Sequence, residues 1–424
     1  MTILGLALAL FAPQLPSPRV EVPQKPNIVL VLADDLGVDL IAAYGEGPSP
    51  ACTPTIDALA AEGQLYRNAW TNPTCSATRA ELMTGRYGFR TGIGRPGSTA
   101  VLDLGEITLP EMMSGYDNAA VGKWHLAGGD ETHPNNSGFA RYAGSLGSGV
   151  NDYYDWEKTE DGSQYQTTTY TTTDTTNEAI NSVLSMQEPW FLYVAYNAPH
   201  APYHNPPADL CTCSTGFCAA SRGGKFRRGR AALEAMDTEL ARLLAVVENV
   251  DPDALIVFVG DNGTAGGLSE PPFDGSRAKG TVYEGGINVP LIIKGPEVVP
   301  GEVEALVCTT DLFATFADLA GAPSQAEDSV SMVPYLQGSS APIREYVYAE
   351  YFSPNGPGPY TVHNRAVRRD RYKLIRREGQ PDELYDLLND PFELTDLFPG
   401  LQAGTPEWDA YQELVGNLSD LGVD

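Results

Sequence analysis

Two apolar runs that end in acids constrain this chain most. Residues 27–33 read Asn-Ile-Val-Leu-Val-Leu-Ala and stop at Asp34-Asp35. Residues 255–260 read Leu-Ile-Val-Phe-Val-Gly and stop at Asp261-Asn262-Gly263. Short runs that are apolar at every position are buried on both faces, the habit of parallel strands covered by helices. Open α/β sheets place their sites at the carboxyl ends of the strands. If both ends share one edge, three carboxylates and an amide converge there. Such an all-oxygen set suits Ca2+, or else Mg2+, rather than zinc. Either pair taken alone reads better as strand-end acids that cap helices.

The rest of the chain alternates in the same way. Residues 54–63 read as a helix stopped by Gly63, and residues 119–126 as a strand. Residues 166–176 are Thr-rich and read as irregular, leading into a helix at 176–186. Residues 190–196 form another strand, ending in Asn197-Ala198-Pro199-His200. Residues 230–248 carry helical periodicity through Leu233, Met236, Leu240, Leu243, Leu244 and Val247. From residue 344 the texture changes to short strand-like pieces at 346–351, 365–369 and 372–376, then a helix at 407–421. The expected fold is α/β: a large, mainly parallel sheet flanked by helices over residues 25–340, with a smaller α+β subdomain containing an antiparallel sheet over 341–424.

Of the 424 residues, 55 are acidic and 27 basic, a net charge of −28. Such a surface repels nucleic acid and anionic membranes. An anionic protein that acts on an anion needs a locally positive pocket, which singles out Arg79, Lys123 and Lys279. Residues 2–12 are almost wholly apolar and precede Pro13, Pro16 and Pro18. That run is too short for a membrane span but suits the core of a signal peptide, although no Lys or Arg precedes it. Residues 1–24 are therefore expected to be a leader and the mature chain periplasmic or secreted, with a cytoplasmic location as the alternative. No other run is long enough to span a membrane. Of six cysteines, Cys211, Cys213 and Cys218 cluster. A surface-loop disulfide is expected there, ahead of a zinc site completed by His204. Cys52 and Cys308 stand alone and read as buried thiols.

Residues 73–85 read Pro-Thr-Cys-Ser-Ala-Thr-Arg-Ala-Glu-Leu-Met-Thr-Gly. The spacing predicts a short helix with Cys75 at its start and Arg79 one turn on, so that both face one ligand. The free N–H groups and positive dipole end of such a helix suit a tetrahedral oxyanion. A buried thiol or half-disulfide is the plainer reading of Cys75. Lys123 and His125 are expected on a strand, where positions i and i+2 share a face and Trp124 turns into the core. Taken singly, His200 and Lys279 read as exposed loop residues.

In order and in combination, these segments resemble the type I, formylglycine-dependent sulfatases of the alkaline phosphatase superfamily. Asp34-Asp35-Leu36-Gly37 and Asp261-Asn262-Gly263 match the two metal-binding segments of that family. Cys75, Arg79, Leu82, Thr84 and Gly85 match its nucleophile signature, with Ala77 where the family usually has Pro. Lys123-Trp124-His125-Leu126 matches a further segment, with Ala127 in place of its final Gly. His200 matches the second catalytic His and Lys279 the sulfate-binding Lys. The resemblance extends from about residue 25 to the region of Pro391.

The resemblance implies a sulfuric ester hydrolase that cleaves a sulfate monoester on a sulfated carbohydrate or an aryl sulfate. It implies a maturation enzyme that converts Cys75 to formylglycine, and a metal, Ca2+ or else Mg2+, held by Asp34, Asp35, residue 75, Asp261 and Asn262. His200 would protonate the leaving alcohol and Lys279 would bind the sulfate. His125 would take a proton from the hydrated aldehyde as sulfate departs, with Arg79 and Lys123 holding that diol. Two alternatives stand beside this reading: a phosphate or phosphonate monoester hydrolase of the same superfamily, and a non-catalytic carbohydrate-binding relative. His133, His204, His363 and Arg365 are candidates for substrate contact, with ordinary surface roles preferred for each.

Overall fold

The computed structural model describes residues 25–218, 224–323 and 326–423; residues 1–24, read above as a leader, lie outside them. Among the described residues, no helix is long and apolar enough to cross a membrane. Ten strands form the main sheet: β1 (Ile28–Ala33), β2 (Gln64–Trp70), β3 (Asp117–Gly122), β4 (Arg141–Gly144), β5 (Trp156–Glu160), β6 (Ser163–Thr167), β7 (Trp190–Ala195), β8 (Leu255–Gly260), β9 (Leu291–Lys294) and β10 (Gly301–Cys308). Their spatial order is β10-β2-β9-β8-β1-β7-β3-β4-β5-β6. The centre, β8-β1-β7-β3-β4, is parallel throughout. β9 runs antiparallel between β2 and β8, and β5 and β6 close one edge as an antiparallel hairpin.

β1 lies at the middle and shows why its sequence is apolar at every step. Ile28, Leu30 and Leu32 enter one hydrophobic core, while Val29, Val31 and Ala33 enter the other. Side chains alternate across a strand, so a central strand covered on both sides has no polar position to offer. Each large aliphatic chain buried in this way contributes about 1.5–3 kcal/mol. On one face, the Pro54–Glu62 helix starts with Pro54 and is capped from outside. Asp237 accepts from the N–H groups of Thr55 and Ile56 at 3.0 and 2.9 Å, satisfying donors that a helix start leaves free.

A second sheet contains β11 (Val347–Ser353), β12 (Val362–Arg368), β13 (Tyr372–Arg377) and β14 (Glu383–Asp386), antiparallel in that order. The Pro406–Leu421 helix covers one face through Leu414 and Leu418, which join Tyr348, Val367, Leu374 and Leu384. The other face meets the main body at Trp70, Ile287 and Leu306.

Four local expectations change. β3 ends at Gly122, not at residue 126, because Gly122 leaves strand backbone at φ +90°, a place only glycine fits, since a Cβ there would lie 2.0 Å from the Ala195 carbonyl oxygen. The Thr-rich stretch is not irregular: its beginning is β6 and its end opens the Thr171–Ser185 helix. There Thr175 and Thr176 donate back to the carbonyls of Thr171 and Thr172 at 3.0 and 3.1 Å, which accommodates hydroxyls inside a helix. The periodic helix is longer than expected, Lys225–Val250. Cys52 is not a buried thiol but is bridged to Cys213, while Cys211 pairs with Cys218 and Cys308 stays reduced and buried.

Candidate active site

The carboxyl ends of β8, β1, β7 and β3 lie side by side. Ala33 pairs with Gly260, Leu32 with Ala195, and Ala195 with Gly122. The residues that follow these strands fan out on one edge: Asp261-Asn262, Asp34-Asp35, the turn to His200, and Lys123 to His125. Cys75 joins them as the first residue of the Cys75–Thr84 helix. Two residues here hold left-handed backbone although neither is glycine: Asp35 at φ +66° and His125 at φ +65°. Such positions cost about 1–3 kcal/mol each and persist only where surroundings fix them. The Asp35 N–H donates to Asp261 Oδ1 at 3.1 Å and the His125 N–H to the Leu146 carbonyl at 3.1 Å.

Asp34, Asp261, Asn262, Arg79 and Lys123 are all fully buried. Arg79 donates through Nε and Nη2 to Asp261 Oδ2 at 3.1 and 2.8 Å, and through Nη1 to the Lys123 carbonyl at 2.7 Å. Lys123 Nζ donates to Asp34 Oδ2, and Lys279 Nζ to Asp35 Oδ1. Asn262 Nδ2 also donates to Asp35 Oδ1, at 3.0 Å. That leaves Asp34 Oδ1 and Asn262 Oδ1 buried with no hydrogen-bond partner among the described residues. A buried acceptor left unpaired costs about 1–3 kcal/mol. Candidate ligand atoms of Asp34, Cys75 and Asp261 lie within 4.8 Å of one another, as do those of Asp34, Asp35 and His200. Orphaned hard oxygens beside clustered carboxylates fit a cation of the Ca2+ or Mg2+ class.

The field of this site sets its proton chemistry. Burial pushes the Cys75 thiol up, against the pull of Lys123, so an unmodified thiol stays protonated and weakly nucleophilic. Burial, followed by the charges of Lys123, Arg79 and Lys279, holds His125 well below the usual imidazole range. His125 is therefore a neutral imidazole with Nδ1 3.2 Å from Cys75 Sγ. Asp261 is pushed up by burial and by Asp34, which together outweigh Arg79. Burial opposes the charge on Lys279, but Asp35, Cys75, Asp34 and Asp261 overcome it and hold the ammonium up. His200 Nδ1 lies 2.7 Å from the Ala201 carbonyl, which can only accept, so Nδ1 carries a proton. Its Nε2 is then turned inward, 3.9 Å from Asp35 Oδ2.

Every sequence-predicted site residue reaches this edge, but two arrive by another route. Lys123 and His125 follow Gly122 on a loop, so strand alternation does not align them. Arg79 does not face an open ligand position; it reaches Asp261 and the Lys123 carbonyl. Of the four candidates for substrate contact, His133, His363 and Arg365 are buried rather than at the surface, and His204 is half-buried. His133 lies under Trp124, whose Nε1 donates to it at 3.1 Å. His204 stacks on Tyr153 at 3.9 Å. His363 bonds Glu350 at 2.8 Å, and Arg365 donates to the Val423 carbonyl. Two supporting groups carried no sequence signal. The Tyr153 hydroxyl lies 2.7 and 2.8 Å from the carbonyls of Asn197 and His200 and fixes that turn. Thr264, bonded to Asp39, accepts from the Gly37 N–H at 3.1 Å and ties the loops after β1 and β8 together.

The family model described as Sulfatase matches residues 26–322. The chain belongs to the sulfatase family, which is a family of sulfuric ester hydrolases. A second model, N-sulphoglucosamine sulphohydrolase, C-terminal, matches residues 274–413. N-acetylgalactosamine-6-sulfatase of Rattus norvegicus is 33% identical over 367 residues, covering 74% of this sulfatase and 67% of the rat protein. The ulvan-active sulfatase of Formosa agariphila is 26% identical, covering 92% of this chain and 78% of its own. Among solved structures, Ps i-CgsB in complex with k-i-k-neocarrahexaose superposes with a TM-score of 0.78 at 26% identity, over 94% of this chain and 93% of that one.

Proposed function

We propose that this sulfatase cleaves a sulfate monoester borne by a carbohydrate, with aryl sulfates as small surrogates. The observation that carries the reading is the Cys75 side chain set between neutral His125 and the buried Asp34–Asp261 pair, beside the orphaned oxygens of Asp34 and Asn262. The carbohydrate half is supported by the substrates in the names of the rat and Formosa relatives and by the oligosaccharide in the solved complex.

Asp34, Asp35, Asp261 and Asn262, with the side chain at position 75, would hold Ca2+, which would polarise sulfate oxygens, while formylglycine made from Cys75 would supply as its hydrate the attacking hydroxyl. The protein's own residues divide the remaining work. His200, partly exposed at the mouth, delivers to the leaving oxygen the proton on its inward-facing Nε2 from the imidazolium form, while its Nδ1–H stays on the Ala201 carbonyl. Lys279 keeps its charge and meets the sulfate oxygens as negative charge builds on them. His125 accepts a proton from the position-75 hydroxyl, which its neutral state permits. Lys123 and Arg79 act beneath them by fixing the carboxylates of Asp34 and Asp261. The Cys52–Cys213 and Cys211–Cys218 bridges support a periplasmic or secreted location, since disulfides persist in oxidising compartments.

Mass spectrometry of the peptide containing residue 75 tests the reading. Active protein should carry an aldehyde in place of the thiol. Full activity in protein that carries only the thiol would overturn it.

A further inference from the structure

Against a net charge of −28, Lys225, Arg227, Arg228 and Arg230 crowd four of the chain's 27 basic residues into the start of the Lys225–Val250 helix. Arg230 is buried and structural. It donates to the carbonyls of Ser49 and Leu268 at 2.6 and 3.1 Å and pairs with Glu270. Lys225, Arg227 and Arg228 are exposed, and among the described residues none of them has a carboxylate partner. The first turn of the helix contains no acidic residue. Cations at the positive end of a helix dipole are unfavourable, so this cluster does not serve the helix that bears it.

Its surroundings tie it to two segments that lead away from the active site. Gly229 packs on Leu268 so closely that a Cβ would lie 2.6 Å from Leu268 Cδ1. Glu234, one turn on, accepts from the N–H groups of Cys52, Phe217 and Cys218 at 3.2, 2.8 and 2.6 Å. Both disulfides close the same corner. The basic turn is thus clamped between two segments that leave the site. One begins at His200 and runs to Cys218. The other runs from Asp261 through Leu268 to Lys279, whose N–H donates to the Thr264 carbonyl at 3.1 Å. His204, lowered first by burial, also feels the charge of Arg228.

We infer that Lys225, Arg227 and Arg228 form a docking surface for a sulfated polysaccharide strand, gripping sulfates on sugars beyond the one whose ester is cleaved. The inference rests on the sulfate-ester reading above and adds that the substrate is a polymer with repeated anionic groups. Guanidinium forks match tetrahedral oxyanions. A cluster of exposed cations on a strongly acidic chain attracts such a polymer where most of the surface repels it.

The test uses the matured full chain and the triple variant Lys225→Gln/Arg227→Gln/Arg228→Gln. On 4-nitrophenyl sulfate, kcat/KM should stay within about twofold of the parent. On whichever of ι-carrageenan, ulvan and chondroitin sulfate is cleaved, it should fall about tenfold through KM at low ionic strength, and the gap should close at high salt. Native electrophoresis through gels containing each polymer reads binding without turnover, and at least one polymer should retard the parent but not the variant. Retardation by none of the three, equal retardation of both proteins, or binding to vesicles of anionic phospholipid in place of the polymers would overturn the surface. A parent that is retarded yet cleaves no sulfate ester would leave the surface standing and remove the sulfatase reading instead.

Discussion

Replacing Arg79 with Met tests how the site balances its buried charges. Arg79 and Asp261 are both fully buried, with two bonds of 2.8 and 3.1 Å to one carboxylate oxygen. A third bond, at 2.7 Å, satisfies the Lys123 carbonyl. Met fills much of the same space but offers no donor. The variant therefore leaves a buried carboxylate beside Asp34 and a buried carbonyl without a partner. Removing one side of a buried ion pair costs about 3–5 kcal/mol, a large share of the roughly 5–15 kcal/mol by which a folded protein is stable. Asp261, already raised by burial and by Asp34, should rise further once Arg79 no longer opposes them. A bound cation would take over part of the role of Arg79, so the loss should be larger in EDTA than in excess Ca2+. The double variant Arg79→Met/Asp261→Asn removes both charges and should lose about 1–3 kcal/mol less than the two single losses added together. Urea unfolding followed by tryptophan fluorescence, with and without Ca2+, measures each value. A loss below about 1 kcal/mol in EDTA, or strictly additive losses in the double variant, would refute the argument.

His200→Ala should slow aryl sulfate cleavage least for acidic leaving groups such as nitrophenol, which need little protonation; equal losses across a leaving-group series would show the role is misassigned. His125→Ala should instead give a burst of released phenol followed by slow turnover, and stopped-flow kinetics with no burst would count against it. Opening the Cys52–Cys213 bridge, whose cysteines are 161 residues apart, should cost about 5 kcal/mol on the loop-entropy model, against about 2 kcal/mol for Cys211–Cys218 with a separation of 7; denaturation of Cys52→Ala and Cys211→Ala compares them. Ala77→Pro falls in the first turn of the Cys75–Thr84 helix, where proline is tolerated, and should raise formylglycine conversion in a foreign host as read by peptide mass.

The sheet and its functional edge were legible in the sequence for a physical reason. A strand buried on both faces must be apolar at every position, so β1 and β8 announce themselves, and polar residues can resume only where the strand ends. Asp34 and Asp261 sit at that point. What was not legible depends on the third dimension. Lys123 and His125 converge because Gly122 ends β3 and His125 takes a left-handed turn, not through a period of two. The partner of Arg79 lies 182 residues away, and local spacing points only to its neighbours on the helix. Cys52 and Cys213 meet because the Lys225–Val250 helix, through Glu234, draws both segments together. His133 and His363 read as surface residues, because a buried imidazole is recognised by its partners, here Trp124 and Glu350, and these lie elsewhere in the chain or in the fold.

The most direct measurement of the central claim is inorganic sulfate release from 4-nitrophenyl sulfate by protein co-produced with a formylglycine-generating enzyme, beside the Cys75→Ala variant and with 4-nitrophenyl phosphate as the paired substrate. The account predicts sulfate release by the parent, none by Cys75→Ala, and far slower turnover of the phosphate. Faster cleavage of the phosphate, or undiminished sulfate release by Cys75→Ala, would contradict it.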